Sequence, residues 1–272
     1  MTDAPSPPAT RLAVFGGGTM GAALLGGLLA AGWAAPEDLA VVEVSEARRK
    51  ELVERFPGVQ VLAGLTRPAD AALLAVKPGE IATVCRACAA ARVERVLSVA
   101  AGVTTASIEA ALGTKAAVVR AMPNTPALVG AGAAAIAAGS RATDADLDWA
   151  AGILSAVGIV VRVPEYQLDA VTGLSGSGPA YLFLVAEALI DAGVLAGLAR
   201  EVSRDLVVQL LVGSARLLAE SGQSAESLRH GVTSPGGTTA AGLHALEEAA
   251  VRAAFVNAVT AATARSKQLA GS

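Results

Sequence analysis

Aromatic residues make up only 3% of this 272-residue chain, and cysteine and histidine occur twice each. These scarcities exclude several chemistries. Cys85 and Cys88 stand one helical turn apart with no second pair and no histidine nearby, so the sequence offers neither a four-ligand zinc site nor a secretory disulfide framework. No thioredoxin-like aromatic precedes them, which leaves small core residues as the reading, and no metal is expected. Basic stretches are equally scarce. Nothing is denser than Arg48-Arg49-Lys50 and the formal charge is −3, so there is no electrostatic footprint for nucleic acid. Residues 1–10 are rich in Pro and Ser but lack a basic n-region, which predicts a disordered tail and not a signal peptide. Uninterrupted apolar runs are missing too. Residues 12–36 carry no charge, but glycine clusters break them and Pro36 closes them. Residues 121–140 contain Pro123 and Pro126 and are mostly alanine, too weakly apolar to insert. Both read as the interior of a soluble protein, with a cytoplasmic location and no membrane partner expected.

What is present is alanine and glycine, which supply much of the 53% apolar content. The length allows two modest domains with substantial cores. Over residues 11–164 short apolar runs alternate with amphipathic stretches, the pattern of a doubly wound α/β sheet of the Rossmann type. Strands are predicted at 12–15, 39–44, 73–76, 96–99, 118–120, 133–138 and 159–163. Helices are predicted at 19–32, 45–56, 79–91, 105–112 and 144–157. Beyond Pro164 only helical periodicity remains, with helices at 179–192 and 243–269. Between them Val202, Leu206, Val207, Leu210, Leu211, Leu217 and Leu218 form an apolar face. Residues 165–272 therefore read as an all-α domain that folds more securely against a second subunit, giving a homodimer.

A glycine-rich turn follows the first strand: Gly16-Gly17-Gly18-Thr19-Met20-Gly21. Between a buried strand and a helix, G-x-G-x-x-G is the dinucleotide fingerprint. Gly16 makes the turn, Gly18 lets backbone approach a pyrophosphate, and Gly21 lets the helix pack on the sheet; N–H groups at the helix start hold the anion. At the end of the second strand the signals for the cofactor's ribose conflict. Glu43 could accept from ribose hydroxyls and would repel a 2′-phosphate, favouring NADH, whereas Ser45 and Arg48 could hold that phosphate, favouring NADPH.

Ligands of such sheets lie beyond the carboxyl ends of the strands. Three turns fall there: Val76-Lys77-Pro78-Gly79, Ala100-Ala101-Gly102, and Pro123-Asn124-Thr125-Pro126. Two more glycine clusters occur in the helical half. Gly173-Leu174-Ser175-Gly176-Ser177 lacks the final glycine of a hydrolase elbow, and neither His230 nor His244 comes with an evident acid partner, which disfavours a serine hydrolase. The other, Thr233-Ser234-Pro235-Gly236-Gly237-Thr238-Thr239, sets hydroxyls and glycines at a helix start with no base, which suits a carboxylate.

Taken together, these motifs resemble the Δ1-pyrroline-5-carboxylate reductase family of proline biosynthesis. The resemblance spans nearly the whole chain and six motifs in order: 16–21, 75–78, 98–103, 120–126, 171–181 and 234–239. It implies a Rossmann domain followed by a helical domain that interlocks with a partner, sometimes in rings of dimers. It implies hydride transfer from a reduced nicotinamide to the C=N carbon of 1-pyrroline-5-carboxylate, giving L-proline. Ser234, Gly237, Thr238 and Thr239 would hold the substrate carboxylate, with the Thr239 hydroxyl on the ring nitrogen as catalytic group. Val76, Lys77, Pro78, Ala100, Ala101 and Asn124 would line the nicotinamide half of the cofactor, and Glu165, at the domain junction, would reach the same site. Many members carry Asn where this chain has Thr19, and an acid at Glu43 departs from the family's usual NADPH pattern. A related imine or keto reductase on the same scaffold and a non-catalytic NADP(H) sensor are the rival readings.

Overall fold

The computed structural model describes residues 10–270. The N-terminal region runs β1 (Leu12–Phe15), α1 (Thr19–Ala30), β2 (Leu39–Val42), α2 (Glu46–Arg55), β3 (Gln60–Leu62), β4 (Ala71–Leu74), α3 (Ile81–Ala90) and β5 (Arg95–Ser98). It continues through α4 (Thr105–Leu112), β6 (Ala117–Met122), β7 (Gly132–Ala138), α5 (Asp144–Leu154) and β8 (Gly158–Arg162). The strands form one sheet in the order β3-β2-β1-β4-β5-β6-β7-β8. Its first six strands have the Rossmann order, reversing between β1 and β4, and the two loops leaving those strands diverge to open a crevice.

The strands are buried because both faces are covered. In β1, Leu12 and Val14 point to one face and join Leu39, Val41 and the α1 residues Leu24, Leu25 and Leu28. Ala13 and Phe15 point to the other and join Ala72, Leu74, Ile81, Cys85, Cys88 and Ile108. Full burial of each Leu or Ile is worth about 1.5–3 kcal/mol. The two cysteines are fully buried core residues, as expected from the sequence. Burial pushes both thiols up, Cys88 to about 12, so neither offers a thiolate near neutral pH.

Several predictions for this region need correction. The strand β3 was not anticipated: it has three half-buried residues and no alternation long enough to register. The second strand ends at Val42 and not at 44, the fourth at Leu74 and not at 76, and β6 runs through Arg120 to Met122. The sheet is not wholly parallel, since β7 runs antiparallel to β6 and carries β8 parallel to itself. The expected tail at 1–10 lies outside the described residues except for Thr10, which is buried and bridges to Ala69.

After β8 come α6 (Leu168–Val171), a π-helical segment Thr172–Gly176, and then α7 (Gly178–Leu195), α8 (Arg200–Glu220), α9 (Ala225–Gly231), α10 (Thr238–Glu248) and α11 (Val251–Ala270). The chain divides into two compact units, one ending at Ser177 and taking back the residues from Ala261 on, the other Gly178–Thr260. The Ser266 hydroxyl donates to the Asp169 carboxylate at 2.6 Å inside the first unit.

In the second unit α7 packs on α8, with Ser203 Oγ donating to the Ile190 carbonyl at 2.8 Å. A Cβ on Gly193 would stand 2.2 Å from that hydroxyl oxygen, so glycine permits the close crossing. The expected apolar face of α8 splits. Ser203 and Val207 are buried, whereas Val202, Leu206, Leu210 and Leu217 form a stripe at helical spacing that remains exposed on this chain. The single helix expected at 243–269 is broken at Ala250, a non-glycine residue at φ 54°. Among the described residues one helical stretch, Glu165–Leu195, is long and apolar enough to cross a membrane by length and composition alone.

Candidate active site

At the end of β1 the chain turns sharply. The Gly16 N–H still donates to the Val42 carbonyl at 2.9 Å, and Gly16 then adopts φ 95°, which L-residues with a side chain rarely reach. A Cβ on Gly21 would lie 2.0 Å from the Gly16 carbonyl oxygen, so the first turn of α1 can seat against β1 only with glycine there. Gly18 differs from both. Its backbone is extended and a Cβ would meet nothing within 4 Å, so the fold itself does not require glycine at this position. The missing side chain leaves room for a group outside the chain, which suits the pyrophosphate of a dinucleotide.

Gly18 is also the N-cap of α1, and no side chain caps that end. The first intrahelical bond is Ala22 N–H to Gly18 C=O at 2.9 Å, so the N–H groups of Thr19, Met20 and Gly21 precede the ladder. In α2, α4 and α9, by contrast, Ser45, Thr104 and Ser224 accept a first-turn N–H. A cavity of about 540 Å³ opens beside the turn, lined by Gly16, Gly18, Glu43, Val76 and Lys77. It also touches Ala63, Gly64 and Leu65, which follow β3, and Thr83 and Val84 of α3. Sequence reasoning missed Ala63, Gly64 and Leu65 because it missed β3.

Of the other candidate residues, Ser45, Arg48, Pro78, Ala100, Ala101 and Asn124 do not line this cavity. Ser45 Oγ accepts the Arg48 N–H at 3.4 Å as the cap of α2. Arg48 Nε donates to the Gly17 carbonyl at 2.8 Å, and its guanidinium pairs with Glu51. Glu43 Oε2 accepts the Gly17 N–H at 3.0 Å and Oε1 accepts the Ser45 N–H at 2.9 Å. Lys77, Pro78 and Ala101 are exposed, Val76 is half-buried, and Ala100 is buried with its N–H on Ser98 Oγ at 3.3 Å. Asn124 is buried and both ends of its amide are engaged: Nδ2 donates to the Ser175 carbonyl at 3.1 Å and Oδ1 accepts the Ala133 N–H at 2.8 Å. It ties the β6 turn to the π-helical segment and to β7.

Glu165 sits in a network within the first unit. Its carboxylate accepts the Thr105 N–H at 2.7 Å, the Thr105 hydroxyl at 2.6 Å and Arg120 Nη1 at 3.1 Å. The Arg120 side chain is 6% exposed and that of Glu165 is 28% exposed. Burial opposes ionisation of Glu165, but the two Thr105 bonds and the Arg120 guanidinium outweigh it and hold the carboxyl below its ordinary value.

In the second unit, residues 232–237 form a loop that ends in a second glycine-capped helix. Gly236 adopts φ 67°, and Gly237 caps α10 with no side-chain bond. The Gly237 N–H donates to the Ser234 carbonyl at 3.1 Å, and the helical ladder begins with Ala241 N–H to Gly237 C=O at 3.2 Å. The donors ahead of that ladder are therefore those of Thr238, Thr239 and Ala240. A Cβ on Gly237 would stand 2.3 Å from Ser234 Oγ, so that hydroxyl lies directly over the glycine. Ser234 and Thr238 are exposed and Thr239 is half-buried. His244 faces Glu248 at 3.5 Å on an exposed helical surface, an i,i+4 pair that does not resemble a catalytic dyad. Among the described residues no cluster of three metal-binding side chains occurs.

Comparison with known proteins gives two family matches. Residues 165–269 match a family described as pyrroline-5-carboxylate reductase dimerisation. Residues 11–102 match one described as NADP oxidoreductase, coenzyme F420-dependent. A pyrroline-5-carboxylate reductase of Methanosarcina acetivorans is 43% identical over 264 residues, covering 95% of this chain and 97% of that protein. One of Mycobacterium tuberculosis is 45% identical over 285 residues, covering 95% and 96%. Among solved structures, the pyrroline-5-carboxylate reductase of Coxiella burnetii superposes with a TM-score of 0.89 at 39% identity, covering 96% of this chain and 99% of its own. The Plasmodium falciparum enzyme, solved with NADP bound, gives 0.84 at 32% identity over 96% and 98%.

Proposed function

Because the chain belongs to the pyrroline-5-carboxylate reductase family, we infer that it reduces 1-pyrroline-5-carboxylate to L-proline with NADPH or NADH. The observation that carries the reading is a pair of helices, α1 and α10, capped by glycine with no side-chain bond, where α2, α4 and α9 use a serine or threonine side chain. Each presents free first-turn donors, one set suited to a pyrophosphate and the other to a carboxylate.

The roles divide by unit. In the first, Gly16 and Gly21 shape the turn, and Gly18, Thr19 and Met20 hold the pyrophosphate. Val76, Lys77, Pro78, Ala100 and Ala101 line the nicotinamide half. Asn124, whose amide is fully engaged, holds the turn that supports them. Ser45 and Arg48 flank the adenosine ribose. Glu165 acts through Thr105 and Arg120, anchoring the chain just after Pro164, where the functional boundary between residues 11–164 and 165–272 falls. The family match from residue 165 onward supports that boundary.

In the second unit Ser234 and the first-turn N–H groups of Thr238 and Thr239 bind the substrate carboxylate. Gly237 leaves space for Ser234 to lie over the helix start, and the Thr239 hydroxyl bonds the ring nitrogen. The bound dinucleotide supplies the hydride. No strong acid or base is required of the chain, because a protonated imine is already electrophilic and alignment of the reacting atoms supplies much of the rate. The loop fits that demand, with hydroxyls and backbone donors and no titratable side chain from Thr233 to Thr239.

The exposed stripe on α8 is the surface a second copy covers in the homodimer, and we extend the reading to rings of dimers. The same burial accounts for the apolar helix Glu165–Leu195 without a membrane. A cytoplasmic location and the absence of a nucleic-acid partner complete the proposal. Mixing the protein with reduced dinucleotide and pyrroline-5-carboxylate tests it. Proline-forming turnover is expected, turnover only with other imines or ketones would favour a related reductase, and binding without turnover would favour a sensor.

A further inference from the structure

We propose that Glu43 makes this protein select NADH over NADPH, through a carboxylate that the glycine-rich turn locks in place at the ribose end of the cavity. The inference rests on the dinucleotide reading of that cavity and goes beyond it by deciding between two cofactors. Glu43 is the first residue after β2 and lines the same cavity as Gly16 and Gly18. In sheets of this order that is where the ribose of the adenosine half lies. The backbone there is fixed, with the Glu43 N–H donating to the Leu62 carbonyl at 2.9 Å. The side chain is fixed as well, one oxygen on the Gly17 N–H and the other on the Ser45 N–H.

Two consequences follow from this geometry. A carboxylate oxygen has about two acceptor sites, so each oxygen of Glu43 keeps one after taking an amide proton, enough for a ribose diol. The same carboxylate cannot swing aside for a 2′-phosphate without releasing two backbone donors, one of them in the pyrophosphate-binding turn itself.

The two arginines beside this loop already hold other groups. Arg48 donates Nε to the Gly17 carbonyl and pairs Nη1 with Glu51. Arg49 Nη1 donates to the carbonyls of Glu43 and Val44. Val44, the next residue along and also in the cavity lining, is 83% exposed and carries no charge. The two arginines thus brace the loop that presents Glu43.

Fluorescence titration of the full-length protein with NADH and with NADPH, in the absence of pyrroline substrate, tests the proposal directly. The wild-type protein should bind NADH at least about tenfold more tightly, and Glu43→Gln should lose most of that difference by gaining NADPH affinity. Val44→Arg, which leaves the clasp intact, should move the ratio in the same direction, and it serves if Glu43→Gln folds poorly. Tighter binding of NADPH by the wild-type protein would overturn the proposal. So would a Glu43→Gln variant that weakens both dinucleotides equally, since a purely structural clasp predicts that result. Failure to bind either dinucleotide would instead overturn the reading of the cavity itself.

Discussion

Replacing Gly18 with alanine adds a single methyl group, and the structure predicts that the fold will scarcely register it. The residue has φ −67° and ψ −167°, open to any L-residue, and the new carbon would meet no protein atom within 4 Å. Two small terms oppose one another. Alanine is a poorer N-cap than glycine by about 0.5 kcal/mol, whereas the loss of glycine's freedom in the unfolded chain stabilises by about 0.4–1 kcal/mol. The net change should lie within about 0.5 kcal/mol of zero. Dinucleotide binding should behave differently, because the methyl group would occupy the space through which the pyrophosphate approaches the α1 N–H groups. A tenfold or greater loss of affinity, about 1.4 kcal/mol or more, is expected. Gly21→Ala is the control. Its Cβ would lie 2.0 Å from the Gly16 carbonyl oxygen, and overpacking of that kind costs about 1–3 kcal/mol of stability whether or not cofactor is present. Urea unfolding of the cofactor-free proteins and NADH fluorescence titration measure the two quantities separately. If Gly18→Ala binds dinucleotide as the wild type does, the glycine-rich turn is not a pyrophosphate site and the reasoning fails.

Three further outcomes are expected. Glu165→Ala leaves Arg120 buried without its counter-charge and should cost about 3 kcal/mol in urea unfolding at neutral pH, with Arg120→Met costing less because the Glu165 carboxylate it leaves is partly exposed and keeps both Thr105 bonds. Since the Glu165 carboxyl is held below its ordinary value in the folded state, its contribution is present above the unfolded value of about 4.3 and lost as pH falls through the folded one. The stability gap between wild type and Glu165→Gln should therefore close on acidification; a gap independent of pH would refute the assigned cause. Thr239→Ala should lower turnover by about tenfold or more while leaving NADH affinity nearly intact, as for loss of one hydrogen bond that orients the reacting ring. Leu206→Glu, in the exposed α8 stripe, should shift the dimer towards monomer by at least about tenfold in dissociation constant, as judged by sedimentation; an unchanged dimer would place the interface elsewhere.

The parts of this fold legible in the sequence are those where one local requirement dominates. Leu12–Phe15 reads as a buried strand because every residue is apolar, and the turn reads as a binding motif because Gly16 and Gly21 have steric duties that no other residue meets. Features set by distant contacts were not legible. Gln60–Leu62 becomes a strand because it pairs with β2, not because three residues declare it, and with it went the Ala63–Leu65 wall of the cavity. Nothing in the sequence marks Ala250 for a positive φ, so the break between α10 and α11 went unseen. The apolar face of α8 was visible, but its division into a side buried on α7 and an exposed side depends on Ser203 packing against Gly193. For Glu43 the sequence supplied the residue and the conflict; the bonds to Gly17 and Ser45 show what the carboxylate already does.

The most direct test of the central claim is a product balance. The protein is incubated with pyrroline-5-carboxylate and reduced dinucleotide, and L-proline is quantified against dinucleotide oxidised. One L-proline per dinucleotide consumed is predicted, with the rate lowered about tenfold or more in Thr239→Ala. Dinucleotide binding without proline formation, or oxidation that does not depend on the pyrroline, would contradict the account.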